Sequence, residues 1–208
     1  MVITSKELLS LILASIILAF SNSFIDQNIF FNSLAFFIII LFVYSFAKKL
    51  IAYYFESETE EKIWTFERYG FQPEQHFKNP IPIGIIISFI VSLISFGTIK
   101  WFAVTESEIN PTVARVAKRH DFYSYSELTE WHIALISSAG IFALLILSFL
   151  AYLINLPEFA KLCVYFAAFN LLPLGKLDGT KIFFGSRILY FTMVAMVAIA
   201  VGYALLLV

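Results

Sequence analysis

Phe169-Asn170-Leu171-Leu172-Pro173-Leu174-Gly175-Lys176-Leu177-Asp178-Gly179 closes an apolar run with an Asn, a Pro and then a Leu-Asp-Gly. Proline cannot donate to the preceding helical turn, so the helix should end here. Asn170 can hydrogen-bond the carbonyls that Pro173 leaves unpaired. Gly175 and Gly179 permit tight turns beside the acid. An Asp this close to a membrane segment is costly and reads as a functional-site hypothesis. The plainer reading makes Asp178 the cap of a following segment. The residues of this stretch leave both readings open.

Working outward, the chain around it is poor in charge. Its 208 residues are 60% hydrophobic and 14% charged, with 24 Phe. The mean hydropathy is +0.85. Soluble domains carry about 25% charged residues, so neither an ordinary soluble globule nor a disordered chain fits. Residues 8–25, 27–47, 79–99 and 188–208 carry no charged side chain, and 131–157 carries only His132. Roughly 20 helical residues span a bilayer core. The chain therefore reads as a polytopic membrane protein with no room for a large soluble domain. The net charge of −1 gives no electrostatic case for nucleic acid. A single cysteine, Cys163, excludes an intrachain disulfide and a Cys-rich zinc site.

Five apolar segments read as helices: about Leu8–Phe24, Ile29–Phe55, His132–Leu156, Pro157–Leu174 and Ile188–Val208. The first follows Lys6 and is longer than the apolar part of a signal peptide, so it reads as an uncleaved helix. Residues 56–78 are mixed in charge and read as a solvated loop or surface helix. Asn79-Pro80-Ile81-Pro82 breaks the chain before another apolar run, and Phe96–Thr105 is β-prone. Residues 176–187 read as a basic loop. Basic residues favour the cytoplasmic side. If 81–103 dips in and returns, Lys6, Lys48, Lys49, Lys62, Arg68, Lys78, Lys100, Arg115, Lys118, Arg119, Lys176, Lys181 and Arg187 share one side, leaving only Lys161 on the other. If 81–103 crosses, the basic residues split. The re-entrant arrangement is expected, with the N-terminus cytoplasmic. Irregular backbone at membrane depth needs protein or a hydrated cavity around it.

The stretch from Asn170 to Gly179 resembles the second signature of the site-2 protease family, the intramembrane zinc metalloproteases. Asn170, Pro173, Leu177, Asp178 and Gly179 fit its spacing. The resemblance implies that Asp178 stands where the family has its third zinc ligand. In such a centre two imidazoles and a carboxylate leave a position for water, whose pKa the metal lowers to about 7. The family's His-Glu-x-x-His puts both imidazoles on one helix face, and no such motif occurs here. At its place the chain reads Val43-Tyr44-Ser45-Phe46-Ala47-Lys48-Lys49-Leu50-Ile51-Ala52. Tyr44 and Lys48 stand for the His ligands and Ser45 for the catalytic Glu. The family's Gly-Pro-x-x-Asn is reduced to Gly140, with Ile141 and Leu144 in the Pro and Asn places. The resemblance covers about 30–186 and accounts for a re-entrant β element.

The expected fold is thus an all-α polytopic membrane protein, about five transmembrane helices plus a membrane re-entrant helix/β element around a site-2 protease-like core. Residues 1–208 form one multi-pass integral domain of the cell membrane. A protonated ammonium cannot ligate zinc, and Ser45 is a poor base. The expectation is a catalytically inactive pseudoprotease that binds or regulates transmembrane segments, with membrane lipids around it and no cofactor. Zinc on Asp178 belongs to the alternative, an active protease with unconventional ligands. A further alternative is an unrelated scaffold or permease-like protein. Lys48 is expected either to pair with Asp178 in place of the metal or to snorkel to the interface. Lys49 is expected to snorkel. Glu127, Glu130 and His132 read as an acidic helix start rather than a relocated metal site, and His120-Asp121 as loop. Ser186 lacks a His partner for serine catalysis.

Overall fold

The structure, a computed structural model, describes residues 4–25, 27–68, 76–112 and 128–206. Seven helices, α1 Ser5–Asn22, α2 Phe30–Tyr54, α3 Ile83–Ile94, α4 Glu130–Leu153, α5 Pro157–Asn170, α6 Asp178–Gly185 and α7 Arg187–Leu206, are joined by four strands among these residues. The strands are β1 Ser57–Ile63, β2 Phe66–Arg68, β3 His76–Ile81 and β4 Thr105–Pro111. Among the described residues, four helices are long and apolar enough to cross a membrane: Ser5–Asn22, Gln27–Tyr54, Glu130–Leu153 and Arg187–Leu206. The fifth expected span is shorter than the sequence suggests. α5 has 14 residues, about 21 Å at 1.5 Å per residue, and ends at Asn170 before Pro173.

Local sequence sets the helix starts. Thr4 and Thr129 are extended residues whose hydroxyls accept from the backbone N–H three residues on, Glu7 and His132 respectively. Small and apolar residues of α1, α2, α4 and α5 form the core, including Leu18, Phe37, Ile40, Ile141, Leu144 and Phe166. The outward faces of α1, α2, α4 and α7 carry exposed Ile, Leu and Phe, as expected where hydrocarbon replaces water.

The polar run 56–78 is neither loop nor surface helix over its described residues. β1 pairs antiparallel with β4, in register from Ser57 opposite Pro111 to Ile63 opposite Thr105. β2 pairs with β3 through an irregular register. The β-prone stretch 96–105 is not itself a strand, since β4 begins only at Thr105.

Residues 81–104 form a hairpin instead of one crossing helix. Its two ends meet at Trp64, which accepts from the Gly84 N–H (3.0 Å) and donates to the Val104 carbonyl (2.8 Å). A Cβ on Gly84 would lie 2.5 Å from that Val104 oxygen. The tip reaches the other end of the bundle, where a Cβ on Gly97 would lie 2.9 Å from Ile25 Cγ1. Ser92 meets Ser21 at 2.7 Å. Lys100 Nζ donates to Asn22 Oδ1 (2.7 Å). Lys100 therefore sits at the end of α1 opposite Glu7, not with the basic residues it was grouped with. Arg115, Lys118, Arg119, His120, Asp121 and Glu127 lie outside the described residues.

Candidate functional site

The polar centre of the molecule lies where the last turns of α2 meet β1, β4 and α6. Tyr44 and Lys48, four residues apart, share one face of α2. Both are 1% exposed. The Lys48 ammonium lies 3.7 Å from the Tyr44 ring centroid. Gly140 of α4 makes room for the pair: a Cβ there would lie 2.8 Å from Lys48 Cε and from the Tyr44 ring. Gly140 thus faces both Tyr44 and Lys48.

Asp178 is the first residue of α6 and is 2% exposed. Tyr44 Oη donates to its Oδ2, and Lys48 Nζ forms an ion pair with the same oxygen. The expected Lys48–Asp178 pair is present. Ser107 Oγ of β4 donates to Oδ1 at 2.8 Å, and Lys181 Nζ reaches that oxygen at 3.4 Å. Lys181 also donates to the Ser107 carbonyl. Burial alone would push the Asp178 carboxyl up, but the Lys48 and Lys181 charges reverse this and hold it well below the usual carboxylate range.

Two carboxylates enter the centre that the sequence reading treated as solvated or left aside. Glu61 of β1 accepts from Lys48 Nζ at 2.8 Å and is 2% exposed. Burial raises its carboxyl above the ordinary range and the Asp178 charge adds to that, against the pull of Lys48. Its Oε2 has no hydrogen-bond partner among the described residues. Glu7 of α1 takes Lys49 Nζ at 2.6 Å, Ser45 Oγ at 3.1 Å and the Glu61 N–H at 3.4 Å. Lys49 is 8% exposed, so it does not snorkel. Ser45 Oγ is committed to Glu7.

The remaining motif residues shape the approach to this centre. Asn170 is fully buried, and its amide donates to the Phe166 carbonyl (2.9 Å) within its own helix. It does not serve the carbonyls near Pro173, because the Leu172 N–H takes the Phe169 oxygen instead. Gly175 has φ +54° and lies against the Trp64 ring, so its turn does need glycine. Gly179 is helical. Its role is close approach, since a side chain there would collide with the Leu171 and Leu172 carbonyls. Glu130 and His132 open α4, and the His132 ring lies against Phe55 with centroids 4.6 Å apart. Ser186 Oγ accepts from the Leu189 N–H at the start of α7.

The donor set does not suit zinc. A zinc site of the family's type needs lone pairs from two nitrogens and one carboxylate. Here Asp178 Oδ2 faces a phenol and an ammonium, and a charged ammonium has no lone pair to give. No group of three His, Cys, Asp or Glu side chains converges to hold a metal among the described residues. What the arrangement does chemically is neutralise two buried carboxylates with one central cation and a flanking one. Comparison with protein-family models, curated proteins and solved structures finds no match.

Proposed function

We propose that this chain is a non-catalytic membrane protein built like a site-2 protease core, in which the Lys48 ammonium takes the place of the metal. It binds or regulates transmembrane segments of other proteins. The observation that carries the reading is Lys48 Nζ bridging Asp178 and Glu61 deep in the molecule. Lys48 and Asp178 stand in the places that the resemblance gives to two metal ligands, and Glu61 is an added partner. The apolar cleft among α2, α4 and α7, lined by Ile51, Phe55, Leu135, Ala139, Phe142 and Met193 and about 500 Å³ in volume, supports the binding role.

Purified protein should contain no stoichiometric zinc and should not cleave transmembrane peptides. Zinc at one ion per chain, lost in Asp178→Asn, would overturn the reading in favour of an active metallopeptidase. A constructive test replaces the three departed positions together: Tyr44→His, Ser45→Glu and Lys48→His. If the core has the proposed ancestry, the triple variant acquires zinc with Asp178 as a ligand. A well-folded triple variant that binds none argues for an unrelated membrane scaffold.

A further inference from the structure

At the end of the bundle away from Asp178, α4, α5 and α7 enclose a cleft of about 510 Å³. Its walls come from residues 145–153, 160–164 and 196–204 and are almost wholly apolar. The polar exceptions are Ser148, Lys161, Tyr152 and Tyr203. Ser148 is already committed, donating to the Ala160 carbonyl at 3.0 Å. The remaining three gather at one end. Tyr152 and Tyr203 lie near the C-terminal ends of α4 and α7, with ring centroids 5.2 Å apart. Lys161 is in the second turn of α5, which runs antiparallel to α4. Helical side chains tilt toward the helix N-terminus, so its ammonium extends toward the same end. Leu145 and Met196 line the deeper part, each about 10 Å, or two turns, below its tyrosine.

Among the described residues, Lys161 is the one charged side chain in the lining of this cleft. Lys48, Lys49, Lys62, Lys176 and Lys181 each have a carboxylate within 4.0 Å. Lys161 has none among the described residues, though it borders an apolar cleft. The occupant that matches a lone cation and two phenols at the mouth of a two-turn apolar slot is an anion with a hydrocarbon tail. We propose that this cleft is a binding site for an anionic glycerophospholipid, with its phosphate on Lys161 and one acyl chain lying between α4 and α7. The site is independent of the ion cluster and of the reading of its ancestry.

The full chain is reconstituted in phosphatidylcholine vesicles carrying about one-tenth phosphatidylglycerol. In parallel samples either lipid bears a photoreactive acyl chain, and labelled peptides are mapped by mass spectrometry. Phosphatidylglycerol should label residues 145–153, 160–164 and 196–204 about fivefold more than phosphatidylcholine does. Lys161→Gln should abolish that preference, and Lys62→Gln, at an exposed pair, should not. Ala200→Trp fills the slot while keeping the lysine, and should reduce labelling by both lipids. Equal labelling by the two lipids would overturn the proposal. So would a preference that survives Lys161→Gln, labelling unaffected by Ala200→Trp, or a cleft left unlabelled because a transmembrane segment occupies it.

Discussion

Lys48 and Lys49 are neighbours in sequence and both buried, yet their situations differ. Lys49 forms a simple pair: one carboxylate, Glu7, on one adjacent helix. Lys48 is a hub. It holds Glu61 of β1 and Asp178 of α6 at once, with the Tyr44 ring beneath it and Gly140 of α4 beside it. A helix turns about 100° per residue, so adjacent side chains face different neighbours. The lesson is that the cost of a buried charge depends on how many opposite charges it serves. Removing Lys49 takes the cation from one carboxylate, whereas removing Lys48 takes a cation from two.

The strongest way to break this comparison is Lys48→Met. It should cost about 3–5 kcal/mol of unfolding free energy, read by denaturation in detergent micelles. The pattern of rescue is more informative than the loss. After Lys48→Met, Asp178 still has Lys181, Ser107 and Tyr44, but Glu61 has no remaining side-chain partner. Adding Glu61→Gln should therefore restore more stability than adding Asp178→Asn. The reverse order would mean that Asp178, not Glu61, depends on the hub.

Lys49→Met should cost less, about 2–3 kcal/mol, because Glu7 keeps Ser45 Oγ and the Glu61 N–H. Here a single second change, Glu7→Gln, should recover most of the loss. Gly140→Ala should cost about 1–2 kcal/mol by crowding Lys48 and Tyr44. In a double-mutant cycle it should couple to Lys48→Met and not to Lys49→Met.

Titration gives the smallest effects. Asp178 is held below its unfolded value near 3.9. Its contribution is present above about pH 4 and is lost as pH falls further toward the depressed value. The melting temperature should accordingly drop below pH 4, and Asp178→Asn should flatten that limb. Glu106 is the contrasting case, a buried carboxylate with no ammonium within 4.0 Å among the described residues. Its Oε1 takes Thr65 Oγ1 at 3.2 Å, and Oε2 has no partner. Burial raises its carboxyl. Its contribution is therefore present below about pH 4.3 and lost as pH rises through the raised value. Glu106→Gln should raise the melting temperature at pH 7 and leave it nearly unchanged at pH 4.

The long apolar helices were legible because apolar length is a strong signal, and the Lys48–Asp178 pair was one of two expectations that the resemblance left open, the other being a snorkelling Lys48. Glu61 was not legible for a physical reason. In the run 57–62, charge reads as solvation until the strand's parity is known. Ser57, Thr59 and Glu61 point inward, while Glu58 and Lys62 point outward. That period of two was present, but small polar residues on the inner face disguised it. Glu7 was hidden by its place in the first turn of a helix, where an acid needs no further explanation. Ser107 and Lys181 enter the centre only through β4 pairing and the short α6, both of which depend on distant chain. The length of α5 was overestimated because an apolar run continues past the residue where Pro173 forces the helix to stop.

The hub also orders the chain in time. Lys48 and Glu61 are separated by 13 residues, so they can meet as soon as α2 and β1 have been made. Asp178 follows Glu61 by 117 residues. At about 5–20 residues per second, that stretch takes roughly 6–23 s to synthesise. Through that interval Glu61 is the only carboxylate of the hub available to neutralise Lys48. Glu61 is thus the first carboxylate to reach Lys48, and α6 with Asp178 can join only after most of the chain has been made.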